Sequence, residues 1–252
     1  MRQCKMMNYI KNPNLPENDV TLAAISSLAG ESIKKLNSLG IKTSEIISNK
    51  SLPIPINSHA DIQLAHMGNN VIFCQDEHLF SEDLKEKFTL FRITEKAGNK
   101  YPDDVRLNCT IIGNKIICNV KTISTDILDF AYRNNYMIIN VNQGYSKCSV
   151  CVLNDNSIIT DDVSVFTAAG NLLNDVTLIS KGSVSLNGYN YGFIGGCCGK
   201  ISKNKIAFNG RLDSHKDCNI ITDALQRNNI DCIELCDKPL NDIGGIIPLL
   251  EV

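Results

Sequence analysis

The feature that most constrains this chain is self-similarity at a spacing of roughly 40 to 50 residues. Segments 105–142, 147–180 and 192–236 open alike, each with a short apolar strand (CTII, CVL, CGKI) running into a tight polar turn. The turns are Gly113-Asn114, Asn154-Asp155 and Lys203-Asn204. Glycine, asparagine and aspartate supply the positive φ that hairpins need. A second strand follows (KIIC, SIIT, KIAF), then a polar cap and a helix. The caps are Ser124 or Thr125, Asp161 or Asp162, and Asp213 or Ser214. Each copy closes with an apolar strand, over 136–141, 176–179 and 231–235.

Segment 59–95 reads as a fourth copy, with turn Gly68-Asn69-Asn70, strand VIFC, a helix from Ser81 and a last strand over 88–93. Segments 18–47 and 244–252 are complementary pieces of a fifth: strand, helix and strand in one, an opening strand in the other. The chain is therefore expected to form one α/β domain over 1–252, five units closed into a ring by pairing its two ends. Such a ring removes the exposed sheet edges that invite aggregation. Segments 51–58 and 95–104 read as connecting loops.

Composition narrows the function classes. Hydrophobic residues make up 43% and charged residues 21%, which suits a packed domain. The formal charge is -2, from 25 basic and 27 acidic residues scattered along the chain. With no basic stripe, a nucleic-acid partner has no electrostatic footprint. No apolar run reaches membrane-spanning or signal-peptide length. Eleven cysteines with no secretory signal read as reduced thiols in a cytoplasmic protein.

Alternation along a strand turns the repeat into facing directions. Aligned on their turns, the opening segments put Asp61, Gln63, Arg106, Asn108, Lys147, Ser149 and Cys197 on one face. The other face carries apolar residues or thiols such as Cys148 and Cys198. The first set is expected to line a central channel that takes a small-molecule ligand, or to form a structural polar network filled with water. His59-Ala60-Asp61 places a proton carrier beside a cation-holding carboxylate, though on spacing alone a loop histidine beside a satisfied aspartate is the commoner reading of so short a pattern. Gly195-Gly196-Cys197-Cys198-Gly199 sets a thiol among glycines. It reads as a reactive site, Cys197 before Cys198, or as a tight bend with two buried thiols. Cys148-x-x-Cys151 lacks a second pair and reads as packing, as do Cys218, Cys232 and Cys236. His66, His78 and His215 read as surface or turn residues, and no metal site is expected.

The five-unit ring and the H-x-D segment together resemble the guanidino-group modifying superfamily, whose fold is the α/β propeller or pentein, with helices outside. His59-Ala60-Asp61 is similar to that family's H-x-D, and Gly244-Gly245 to the glycines before its nucleophilic cysteine. Here no cysteine follows them: the chain reads Ile246-Ile247-Pro248. The resemblance implies a cysteine thiolate attacking a guanidinium carbon, with His59 as acid/base, Asp61 as clamp and no metal or organic cofactor. Alternation, rather than the family, nominates Cys197 as the replacement nucleophile. Arg106 or Lys147 would take a substrate carboxylate, and Gln63, Asn108 and Ser149 would line the site. The expected function is a Cys-dependent hydrolase or amidinotransferase-like enzyme on a small guanidino or amidino compound. The alternatives are a non-catalytic binding protein of the same fold, for a small ligand or a macromolecule, and a thiol sensor in which Cys197 and Cys198 oxidise reversibly.

Overall fold

The computed structural model of the protein describes residues 7–252. The chain begins with β1 (Asn8–Tyr9), β2 (Val20–Ser26), α1 (Gly30–Ser38) and β3 (Lys42–Ile46). Next come α2 (Ala60–Gln63), β4 (Leu64–His66), β5 (Val71–Cys74), α3 (Glu82–Lys87) and β6 (Thr89–Arg92). A third group is β7 (Thr110–Ile112), β8 (Lys115–Cys118), α4 (Thr125–Arg133) and β9 (Met137–Asn140). A fourth is β10 (Val150–Asn154), β11 (Ser157–Thr160), α5 (Val163–Gly170) and β12 (Asp175–Leu178). The last is β13 (Cys198–Ser202), β14 (Lys205–Phe208), α6 (Cys218–Arg227), β15 (Asp231–Glu234) and finally β16 (Ile247–Glu251).

These strands form five mixed sheets, matching the five units. In each three-stranded sheet a hairpin pairs the first two strands antiparallel, and the helix carries the chain across to a third strand parallel to the second. The remaining sheet has the order β1-β16-β2-β3, so the C-terminal strand lies in the N-terminal sheet, antiparallel to β2. No helix among the described residues is long and apolar enough to cross a membrane.

Local chemistry sets the helix starts. The Ser124 hydroxyl accepts from the Asp126 amide (3.2 Å) and the Asp162 carboxylate from Ser164 and Val165 (2.8 and 3.2 Å). Asp213 does not cap a helix: Arg211 donates to its carboxylate (3.0 and 2.8 Å), and α6 starts later, at Cys218.

The middle strand of each repeat is apolar because both its faces are covered. Ile116, Ile117 and Cys118 of β8 are all buried, as are Ile206, Ala207 and Phe208 of β14. The core is divided into clusters that straddle successive sheets. One joins Ile72 and Leu84 to Leu22 and Leu249, another Phe73 and Ile93 to Ile111 and Ile127. Others join Ile117 and Ile139 to Val150 and Ile158, and Cys151 and Ile159 to Phe208 and Ile221. A fifth joins Ile201 and Ala207 to Ala23 and Leu36, from the last complete unit to the first.

Three thiol positions differ from expectation: Cys232 is exposed, and Cys218 and Cys236 are half-buried. Conversely, His66 and His215 are buried and only His78 is exposed.

Candidate functional site

The polar residues singled out from the sequence do not lie on strands. In every unit they occupy a turn just before the first strand: 59–63, 105–109, 146–149, Gly195–Cys197 and 243–246. Alternation holds only for extended chain, so the facing directions inferred from it do not apply in these helical and 3-10 turns.

Hydrogen bonds link each turn to the next. The Asn108 amide donates to the Asp61 carbonyl (2.9 Å), while its own oxygen accepts from the Lys147 and Cys148 backbones (2.7 and 3.3 Å). Gly196 N–H donates to the Cys148 carbonyl (2.9 Å), and Gly245 N–H to the Gly196 carbonyl (2.8 Å). Asp61 N–H donates to the Gly244 carbonyl (3.1 Å), returning to the first turn. Glycine is required where these turns meet. A Cβ on Gly195 would lie 2.3 Å from the Val150 carbonyl oxygen, and one on Gly196 2.1 Å from the Asp242 carboxylate. One on Gly244, at φ +76°, would lie 2.3 Å from the His59 Cβ.

Around this circuit the structure gathers His59, Asp61, Lys147, Cys148 and a residue the sequence reading missed, Asp242. The Asp242 carboxylate accepts from Gly244 N–H (3.0 Å) and Phe193 N–H (2.9 Å), and lies 3.6 Å from His59 Nδ1. That buried ring nitrogen has no hydrogen-bond partner, and the equally buried Asp61 carboxyl has no side-chain partner beyond the Cys148 thiol. A buried carboxylate with so little support is costly. Burial pushes the Asp61 carboxyl up, and Asp242 adds to this, while His59, Lys147 and the hydrogen bond from Cys148 pull it down. Burial also pushes the Cys148 thiol well up, reinforced by the Asp61 and Asp242 charges, against a hydrogen bond from Asn108 (3.1 Å).

His59, Cys148 and Asp242 share a cavity of about 220 Å³. Its walls are largely aromatic: Tyr145, Tyr189, Tyr191 and Phe193. No group of three or more His, Cys, Asp or Glu among the described residues could hold a metal ion.

The other candidates fall elsewhere. Cys197 is fully buried in the core with Ile221 and Leu225 of α6, and its thiol donates to its own turn at Ile194 O (3.1 Å). It lines neither cavity bordered by His59, which corrects the expectation that it faces the site. Cys148, read as packing, is the thiol that does. Arg106 pairs with Asp103 and donates to the Thr122 carbonyl, away from the cavity. The Gln63 amide donates to the Ile47 and Asn57 carbonyls (2.8 and 2.6 Å), and the Ser149 hydroxyl to Ser146 O (3.4 Å); both are structural ties. Lys147 is buried beside the glycine pair, its Nζ 3.7 Å from where a Gly245 Cβ would lie.

Known structures share this arrangement of units. SxtG, an amidinotransferase of the saxitoxin biosynthetic pathway from Microseira wollei, superposes with a TM-score of 0.57 at 10% identity, covering 91% of each chain. The inosamine-phosphate amidinotransferase StrB1 of Streptomyces griseus gives 0.57 at 10% identity over 94% of each. DDAH from Pseudomonas aeruginosa, in complex with citrulline, gives 0.55 at 7% identity over 91% of this chain and 96% of that one. The protein thus resembles the pentein superfamily in fold. No curated protein matches it by sequence. A family model does match, over residues 25–247, and the chain belongs to that family, DUF6873, described as a family of unknown function.

Proposed function

We propose that the protein acts on the amidino carbon of a small guanidino or amidino compound, with Cys148 as nucleophile, His59 as acid/base, and Asp61 with Asp242 as the clamp for the cation. The observation that carries this reading is the Asp61 carboxyl, buried behind the cavity wall with the Cys148 thiol as its one side-chain hydrogen-bond partner, beside the cavity-lining His59, Cys148 and Asp242. A planar cation with several N–H donors satisfies such a carboxylate in the way a water-sized donor does not. Occupancy also solves the thiol's problem. Burial, Asp61 and Asp242 oppose ionisation of Cys148, and a cation held beside the two carboxylates offsets their part of that opposition.

In the first step Cys148 gives its proton to His59, and its sulfur bonds to the amidino carbon. One C–N bond breaks, and the departing amine takes the proton back from His59. Water, or an acceptor amine in a transferase, then attacks the sulfur-bound carbon while His59 accepts its proton. The C–S bond breaks, and the thiolate is reprotonated by His59. The reading includes a closed five-unit propeller formed by a single domain. The hydrogen-bonded circuit of turns and the cluster joining the last complete unit to the first support that closure.

A binding protein without turnover is the second reading. The feature that favours it is the environment of Cys148, where burial and two carboxylates keep the thiol protonated. The test is to incubate the protein with a panel of guanidino and amidino compounds and measure released amine, ammonia or urea. Turnover that disappears in Cys148→Ala and survives in Cys197→Ala is expected. Turnover that survives Cys148→Ala refutes the nucleophile. Thermal stabilisation by guanidinium cations, lost in Asp61→Asn and never accompanied by turnover, selects the binding reading.

A further inference from the structure

We infer that the site takes a cation carrying an apolar or aromatic body and no carboxylate. This rests on the cation-binding reading above and names the ligand class. Two cavities border His59, of about 220 and 380 Å³, and among the described residues lining them there is no lysine or arginine. Enzyme sites that recognise an amino-acid carboxylate in a desolvated pocket need such a counter-charge. The basic residues expected to supply it do not reach the walls: Arg106 is committed to Asp103 and Thr122, and Lys147 lies behind, against Gly245.

The walls offer a different chemistry. Tyr145 stacks on Phe193 (centroids 5.9 Å apart, 26° between planes), and Tyr191 meets Phe193 edge-on (5.9 Å, 82°). With Ile56 and Leu186 these rings form an apolar surround to the carboxylate end of the cavity. Aromatic faces attract cations and accept alkyl or aryl groups equally well. The Tyr145 hydroxyl donates to Asp104 (2.6 Å), so a further carboxyl group stands behind the aromatic wall. An anionic tail entering here meets a carboxylate and no counter-ion. A cationic head with an apolar tail meets the Asp242 carboxylate in the wall, with Asp61 behind it, and rings along the sides.

Calorimetric titration of the full chain with three matched probes tests this: butylguanidine, 4-guanidinobutanoate and butylurea. Butylguanidine is expected to bind about tenfold more tightly, or better, than each of the others. Tyr191→Ala, with folding checked by its melting temperature, is expected to weaken butylguanidine binding about tenfold, and unchanged binding overturns the aromatic contact. Tighter or equal binding of 4-guanidinobutanoate overturns the ligand class while leaving the cation site intact. Equal binding of butylurea overturns the cation site and the ligand class with it, as does failure of all three probes to bind.

Discussion

Two turns of this molecule invite comparison, 146–149 and Gly195–Cys197. Both precede the first strand of a unit, both carry a cysteine at a buried position, and the backbone of one is hydrogen-bonded to the other through Gly196 N–H and the Cys148 carbonyl. Their thiols nevertheless meet different surroundings. Cys197 turns into the helix-backed core and donates to its own turn. Cys148 receives the Asn108 amide, faces the charges of Asp61 and Asp242, and reaches the cavity wall. The glycines that make the second turn conspicuous are there for the backbone contact and for Asp242, whose carboxylate occupies the space a Gly196 side chain would need. An unusual local sequence therefore marks tight packing here, and the chemically placed thiol sits in an ordinary-looking stretch next door.

The comparison is broken most directly by activity. Cys148→Ala is expected to lower turnover by about a thousandfold or more, while Cys197→Ala keeps it and instead costs about 1–3 kcal/mol of stability. Similar losses of turnover in both, at unchanged fold, would remove the distinction between the two turns.

Asp161 tests the Cys197 side by pH. Its carboxylate accepts from the Ile194 amide (3.2 Å), and burial first of all pushes its pKa up to about 7. A carboxyl that holds its proton more tightly folded than unfolded stabilises the fold at low pH. That contribution is lost as pH rises from about 4 through about 7. Denaturant titrations of Asp161→Asn should therefore be flatter than wild type across this window, with an upper bound of roughly 4 kcal/mol on the difference at pH 8. Equal slopes would mean that Asp161 titrates normally.

A smaller effect concerns the glycines. Gly196→Ala must displace the Asp242 carboxylate and is expected to cost about 1–3 kcal/mol in denaturant unfolding. Gly30→Ala, where a Cβ meets nothing within 4 Å at the start of α1, should be neutral or stabilising by about 0.5–1 kcal/mol. A neutral Gly196→Ala would show that the two turns are not packed as tightly as their geometry implies.

What could be read from the sequence follows from range. Hairpin turns, the Ser124 and Asp162 caps and the apolar middle strands are written in residues close together along the chain, and those elements appear where the repeat puts them. His59 and Asp61, two residues apart, are likewise a local pattern, and the structure keeps both in one turn. The facing of Arg106, Ser149 and Cys197 was not legible, because alternation was applied to residues that sit in turns. Asp242 was invisible for another reason: it acts on a histidine far away along the chain. Its only local trace is an aspartate two residues before a positive-φ glycine, the Asx turn seen between its carboxylate and Gly244 N–H. His66 shows the same limit. Its ring nitrogen Nε2 is engaged by Asn69 O (3.0 Å), and burial lowers its pKa to about 4, details set by what β4 packs against.

The position of β16 has a consequence for how the protein comes into being. Strand β2 leaves the ribosome well before its antiparallel neighbour β16, which follows all the other described strands along the chain. The same late segment delivers the Gly244 carbonyl that receives Asp61 N–H. The unit that holds β2 is thus finished after the four hairpin-bearing units, and until then the cavity beside His59 lacks the wall that carries Asp242. Contacts between the two ends carry the largest loop-closure entropy in the molecule, so the step that ties them is expected to limit the folding rate. The contact between Gly244 and Asp61 and the pairing of β16 with β2 are expected to form in a single event.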